Sequence, residues 1–191
     1  MKMFHMTVPG SENASLEGYI LDCELKLGQS VNRPAIVVCP GGGYRFCSER
    51  EAEPIALRFL AEGFNVFVVW YRVHESDAPR KDHEARNWYS ESPDHVFPMM
   101  QQDAGAAIAY VRSHAEELHT DPDCIAILGF SAGGHLVCHY SNAYDWPEVR
   151  EVFPDSKPVN VSILCYPVIC AEPGITHGGS FQNLLGQFPL T

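Results

Sequence analysis

A short motif in the second half of the chain has residue types that do chemistry together. Residues 129–133 read Gly-Phe-Ser-Ala-Gly and fit the pattern G-x-S-x-G, with Ser131 at the centre. In this pattern the serine lies at the apex of a strained strand-to-helix turn and exposes its hydroxyl as a nucleophile. Gly129 and Gly133 fit that chemistry because side chains there would clash with nearby backbone. The alternative is an ordinary glycine-rich connection between a strand and a helix.

The flanking segments give the motif the context that it requires. Residues 124–128 are a short apolar run, which predicts a buried strand. An apolar stripe at helical spacing follows the motif, formed by Leu136, Val137, Tyr140 and Tyr144. Because the predicted helix begins at the serine, its free N–H groups and its dipole favour negative charge there.

A second candidate loop contains three consecutive glycines, at residues 41–43. It follows an apolar, β-branched run at 35–39, which is typical of a central parallel strand. A phosphate-binding loop fits poorly, because Phe46 stands where G-x-G-x-x-G needs glycine and no Gly-Lys-Ser/Thr follows. The pattern favours an oxyanion-hole loop of the HGGG type, with Pro40 in place of the histidine, over a plain tight turn.

The other apolar segments predict the elements that position these two loops. Strands are expected at 4–8, 16–27, 64–70 and 159–166, the first two of them antiparallel. A long helix is indicated by a stripe of Met100, Ala104, Ala107, Ile108, Val111, Ala115 and Leu118. Ser48 and Glu51 resemble a capping box, and Pro54 puts the start of a regular helix nearby. The order predicts a single α/β domain over residues 1–191, a doubly wound and mostly parallel sheet.

Composition excludes several classes of protein. The 191 residues are 46% hydrophobic and 19% charged, and the net charge of −11 argues against nucleic-acid binding. No secretory signal and no apolar run of about 20 residues is present, so we expect a cytoplasmic protein that does not insert into a membrane. Cys39, Cys124 and Cys165 lie in apolar runs, and we predict that they are core residues in a reducing compartment.

Histidine spacing gives no support for a metal centre or a cofactor. The polar segment at 74–98 contains three histidines without a recognisable ligand spacing, and it is predicted to be a surface loop near the site entrance. His135 and His139 are four residues apart, but the segment lacks the glutamate of H-E-x-x-H. Packing and local hydrogen bonds are the expected roles of both side chains.

Five motifs together resemble the bacterial α/β-hydrolase esterases, above all the acetyl-esterase and acetylxylan-esterase-like group, which is related to the feruloyl-esterase-like and hormone-sensitive-lipase-like enzymes. The motifs are Pro-Gly-Gly-Gly-Tyr at 40–44, Trp-Tyr-Arg-Val at 70–73, Asp-Pro-Asp at 121–123, Gly-Phe-Ser-Ala-Gly-Gly-His-Leu at 129–136 and Gly-Ser-Phe-Gln-Asn-Leu-Leu-Gly at 179–186. The resemblance implies the α/β-hydrolase fold and hydrolysis of short-acyl, often sugar-linked, small-molecule esters. It implies Ser131 as the nucleophile and the backbone N–H groups of Gly42, Gly43 and Ala132 as the oxyanion hole.

The other two members of the family's catalytic triad have no match. In the family the acid and the histidine follow two further strands, whereas 191 − 131 = 60 residues follow Ser131 here. No aspartate follows Asp155, and His177 is the last histidine; His177 with Glu172 or Asp155 is the alternative pairing. We therefore expect a C-terminally truncated hydrolase that lacks the last two strands and has weak or no activity.

Two further hypotheses remain open at this stage: a non-catalytic binding module with the same fold, and an acyltransferase that uses the same serine. Truncation also has a structural consequence. The strand at 159–166 is expected to form an exposed sheet edge, which favours self-association.

Overall fold

Six strands form one mixed sheet in the computed structural model, which describes residues 1–11, 13–21, 31–74, 96–152, 154 and 157–186. The strands are β1 (Lys2–Thr7), β2 (Ser15–Ile20), β3 (Arg33–Cys39), β4 (Asn65–Trp70), β5 (Thr120–Phe130) and β6 (Val161–Cys165). Their order across the sheet is β1-β2-β4-β3-β5-β6. The pairs β1/β2 and β2/β4 are antiparallel, and the pairs β4/β3, β3/β5 and β5/β6 are parallel. The mostly parallel sheet with antiparallel N-terminal strands is confirmed.

Helices cover both faces of this sheet. They are α1 (Glu53–Ala61), α2 (Met99–Ser113), α3 (Ala132–Ala143), α4 (Pro147–Val152) and α5 (Gly178–Leu185), with a single 3₁₀ turn at Glu49–Glu51. Side chains alternate along β3, so Ile36 and Val38 pack with α1 while Val37 packs with α2 and α3. Two hydrophobic clusters therefore lie on opposite faces, as a doubly wound fold requires.

Two predicted boundaries differ from the structure. Helix α2 ends at Ser113, although Ala115 and Leu118 of the predicted stripe are buried. The chain turns there because Thr120 N–H bonds to Ala115 O and His119 has a φ of 49°. The strand before the serine begins at Thr120, which pairs with Arg33, and not at residue 124. The predicted continuation of the second strand beyond residue 21 lies outside the described residues.

The cysteine prediction is correct in part. Cys39 is buried and Cys165 is half-buried, but Cys124 is exposed, so its assignment to the core is wrong. Cys124 lies on β5 between the two points at which β5 pairs with β3, Thr120 and Ile125, and before the pairing with β6 begins at Ala126, so it is at the margin of the sheet. All six cysteines in the described ranges are free thiols.

Strand β6 is the last strand of the sheet in the described part of the chain. Two of its apolar side chains, Val161 and Leu164, are exposed. The expected loop at 74–98 falls almost entirely outside the described residues. None of the helices in the described ranges combines the length and the apolar character needed to cross a bilayer.

Candidate active site

The glycine loop and the serine turn leave the sheet side by side. Strands β3 and β5 are parallel neighbours, and Cys39 at the end of β3 is opposite Gly129. Loops that follow adjacent parallel strands meet at one edge of the sheet, where α/β proteins bind ligands. The contact is close, because a Cβ atom built on Gly41 would lie 3.2 Å from Ser131 Cβ. The fold therefore brings the two candidate loops together.

Ser131 occupies the strained strand-to-helix turn that the motif predicts. Its φ of 51° and ψ of −114° lie outside the regions that side-chain-bearing residues normally adopt. Ser131 N–H donates to Cys165 O at 3.0 Å, and Ser131 O accepts from Val168 N at 3.2 Å. The last residue of β6 and the chain that follows it thus hold the turn at its N–H and at its C=O, as strained backbone requires.

The hydrogen bonds of the glycine loop determine where its N–H groups point. Gly41 O accepts from Ser48 N at 2.8 Å, and Gly42 O accepts from Arg45 N at 3.1 Å. In a planar trans peptide the N–H points away from the C=O, so the Gly42 and Gly43 N–H groups face the other way. Within the described ranges, neither of these two N–H groups donates to another protein group.

Two further contacts constrain the same loop. Asn183 Nδ2 on α5 donates to Gly43 O at 2.8 Å. Gly42 has a φ of 131°, and a Cβ atom there would lie 2.0 Å from Phe46 O, so only glycine fits. The third predicted donor, Ala132 N–H, belongs to the first turn of α3, where N–H groups have no helical acceptor.

A cavity of about 280 Å³ opens where the two loops meet. It is lined by Gly42, Gly43, Phe46, Ser48, Arg50, Glu51, Ser131, Tyr166 and His177. The structure therefore brings Ser131 to the predicted loop donors, while Gly129 and Gly133 lie behind the turn as packing positions. His177 reaches this cavity too, with its Nδ1 2.9 Å from Ser180 Oγ. Of its candidate partners, Glu172 is exposed and Asp155 lies outside the described residues.

Glu51 lines this cavity, although its spacing from Ser48 predicts a helix-capping role. The predicted capping box is wrong, because the Ser48 side chain makes no cap hydrogen bond. The Glu51 carboxylate instead accepts from Gly41 N at 2.9 Å and from Tyr166 Oη at 2.6 Å. Desolvation, followed by the hydrogen bond to Glu51, raises the pKa of Tyr166 to about 12, which keeps its phenol a donor. No local pattern distinguishes this glutamate from a capping residue.

The two histidines of α3 pack against other rings as predicted, but the predicted hydrogen bond is present for His135 only, since the buried His139 Nδ1 has no partner among the described residues. His135 Nδ1 is 2.7 Å from Tyr44 Oη, which connects α3 to the end of the glycine loop. The ring of His139 contacts those of Phe97 and Trp146, with centroids 5.3 and 5.1 Å away. In the described part of the chain, no group of three or more His, Cys, Asp or Glu residues is arranged to hold a metal ion.

The burial of His135 predicts a pH-dependent stability. Desolvation, followed by the nearby His139, lowers the pKa of His135 from 6.5 to about 4. On acidification, His135 is protonated in the unfolded chain at a higher pH than in the folded chain. The contribution of the neutral His135 to the unfolding free energy is therefore complete above about pH 6.5 and is lost as the pH falls towards 4. A shift of this size corresponds to roughly 3 kcal/mol of unfolding free energy.

The measurement is urea unfolding between pH 7 and pH 4 for the native chain, His135→Asn and His5→Gln. We expect the asparagine variant to lose less stability on acidification than the native chain. His5 is exposed on β1, and its variant serves as the control for replacing a histidine at the surface. Parallel profiles for the native chain and His135→Asn would contradict the prediction.

Several known proteins are similar to this chain in sequence. The BD-FAE family model matches residues 85–152. Endo-1,4-beta-xylanase B of Butyrivibrio fibrisolvens is 32% identical over 164 residues, which are 83% of this chain and 23% of that protein. The acetylxylan esterase of Xylanibacter ruminicola is 33% identical over 154 residues, 80% of this chain and 26% of that protein.

A solved structure decides the fold. An α/β-hydrolase enzyme from a Medee basin deep-sea metagenome library superposes with a TM-score of 0.69 at 35% identity. The chain has the α/β-hydrolase fold, and its sequence is similar to those of esterases. This α/β hydrolase covers 60% of that solved chain and about a quarter of each curated relative.

Proposed function

We propose that this α/β hydrolase carries the nucleophile and the oxyanion hole of a serine carboxylic-ester hydrolase. The observation that supports it is the meeting of Ser131 with the N–H groups of Gly42 and Gly43 at one cavity. Ala132 N–H, next to the serine at the start of α3, is the third proposed donor. Gly129 and Gly133 allow the turn to pack against the backbone behind it.

In the proposed reaction, Ser131 Oγ attacks the ester carbonyl carbon and loses its proton to a base. The carbonyl oxygen becomes an oxyanion, which the preorganised N–H groups stabilise by about 3 kcal/mol each. The tetrahedral intermediate expels the alcohol, which takes up the proton, and water then hydrolyses the acyl-enzyme. His177 is the imidazole among the described residues of the cavity, and imidazole is the usual base for a serine.

The size and lining of the cavity favour short-acyl esters. A volume of about 280 Å³ lies just below the usual range for small-molecule sites. Arg50 and Tyr166 give its wall polar groups, which suit a hydroxylated alcohol such as a sugar. The acetylxylan esterase relative supports the same substrate class, an acetyl-type and carbohydrate-linked ester.

The test is hydrolysis of p-nitrophenyl acetate and p-nitrophenyl octanoate by the chain. We expect acetate to be preferred and Ser131→Ala to lower the acetate rate about tenfold or more. Ser113→Ala, which changes an exposed serine on α2, is the matched control and should keep the native rate. Equal rates for the native chain and Ser131→Ala would remove the catalytic proposal and leave a binding module with the same fold.

A further inference from the structure

Glu51 makes two hydrogen bonds that the proposed reaction does not use. One carboxylate oxygen accepts the N–H of Gly41, at the start of the glycine loop, and the other accepts the phenol of Tyr166. Gly41 and Tyr166 belong to the segments that follow β3 and β6, on different sides of the cavity. A single side chain from the 3₁₀ turn therefore joins two walls of the candidate active site.

The Pro40–Gly41 peptide unit is held at both of its polar ends. Glu51 accepts its N–H at 2.9 Å, and the buried Tyr71 Oη donates to its C=O at 2.6 Å. Because a peptide unit is planar, two bonds on opposite edges fix its orientation. This unit directly precedes the two peptides whose N–H groups are the proposed oxyanion donors. Without the carboxylate, this unit is held at its C=O alone, and the Gly41 N–H loses the acceptor that fixes its direction.

We propose that Glu51 is a positioning residue, which orients the Gly42 and Gly43 N–H groups by fixing the peptide unit before them. This inference rests on the proposed function. The carboxylate contributes the positions of its hydrogen bonds and not its charge, because a negative charge near the oxyanion would repel the oxyanion. The hydrogen bonds that the carboxylate accepts from Gly41 N–H and Tyr166 Oη stabilise its charge.

The same contacts predict which substitutions preserve the role. In Glu51→Gln the amide oxygen can still accept from Gly41, and the NH₂ group can donate to Tyr166 Oη. In Glu51→Asp the carboxylate is one methylene shorter and cannot span both partners. Glu51→Ala removes both hydrogen bonds. Glu49→Ala removes a carboxylate from the same turn, where the side chain is exposed, and serves as the matched control.

The first test measures kcat and KM for p-nitrophenyl acetate. We expect kcat to fall roughly ten- to hundredfold in Glu51→Ala and Glu51→Asp, less than the loss of a whole donor. KM should change little, because the ground-state ester does not need the donors. Glu51→Gln and Glu49→Ala should stay near the native kcat. An unchanged kcat in Glu51→Ala, or an equal loss in Glu51→Gln and Glu51→Ala, would overturn the proposal.

The second test does not depend on hydrolysis. Backbone ¹⁵N relaxation should give Gly42 and Gly43 order parameters near 0.85 in the native chain and below about 0.6 in Glu51→Ala. Glu51→Gln should keep the native values. If the native chain shows no Ser131-dependent hydrolysis but these values fall in Glu51→Ala, the proposed function fails while the positioning role stands. Unchanged order parameters in Glu51→Ala would overturn the positioning role itself.

Discussion

Replacing Gly133 with alanine is expected to destabilise the fold by about 3 kcal/mol or more and to abolish Ser131-dependent hydrolysis. A Cβ atom at this position would lie 2.1 Å from Cys39 O and 2.5 Å from Pro40 O. Both atoms belong to the backbone, so no rotamer change relieves the overlap. Either α3 or the glycine loop must move, and each movement separates Ser131 from the proposed donors.

Gly134→Ala is the matched control for this substitution. It makes the same chemical change one residue further along α3, where the nearest atoms to the new Cβ would be those of Pro167 at 3.1 Å. Those atoms need to shift by only a few tenths of an ångström, and alanine favours a helix over glycine by about 1 kcal/mol. Urea unfolding of both variants is the measurement. Similar unfolding free energies for the two would contradict the close contact between α3 and the loop.

Arg72→Met is expected to destabilise the protein by about 3–5 kcal/mol, because it leaves a buried carboxylate without its cation. Asp103 on α2 is 1% exposed, and it accepts from Arg72 N at 2.8 Å and from Arg72 Nε at 3.0 Å. Desolvation raises the pKa of Asp103, and the hydrogen bonds to Arg72 oppose that rise without cancelling it. Removing Arg72 from the Arg72–Asp103 pair therefore lowers the unfolding free energy, although burying the two charges is itself unfavourable.

The double variant Arg72→Met with Asp103→Asn tests that explanation. Asparagine removes the buried charge and keeps an oxygen that can accept from the backbone N–H of residue 72. We expect it to recover most of the lost unfolding free energy. Arg58→Met breaks an exposed i,i+4 pair with Glu62 and should cost no more than about 0.5 kcal/mol. No recovery in the double variant would show that the loss arises from packing and not from the charge.

The parts of the fold that the sequence predicts are those that depend on local pattern. Strands β3 and β4 are apolar after their first residues. Three residues of the predicted α3 stripe, Leu136, Val137 and Tyr140, are fully buried, whereas Tyr144 follows the helix and is half-buried. The buried positions of such elements are apolar in the sequence, so the spacing of apolar residues predicts them. The two loops of the candidate site were found for a related reason, since glycine spacing reports a close approach of backbone.

The features that the sequence does not predict depend on contacts between distant segments. The first turn of α5 begins with Gly178 and Gly179, so weak helix propensity hides a helix that packs its buried Phe181 and Leu184 into the core. Glu51 has the spacing of a capping residue, but the single 3₁₀ turn around it directs the carboxylate to Gly41 instead. Tertiary hydrogen bonds of this kind have no signature in local spacing.

Covalent labelling of the native chain with a fluorophosphonate, followed by peptide mass spectrometry, tests the central claim most directly. The predicted result is one phosphonyl adduct that maps to Ser131 and is absent from Ser131→Ala. The other serine of the cavity, Ser48, should carry no adduct. An adduct on a different residue, equal labelling of Ser131→Ala, or no labelling under conditions that fully modify a reference serine esterase would contradict the role of Ser131 as the nucleophile.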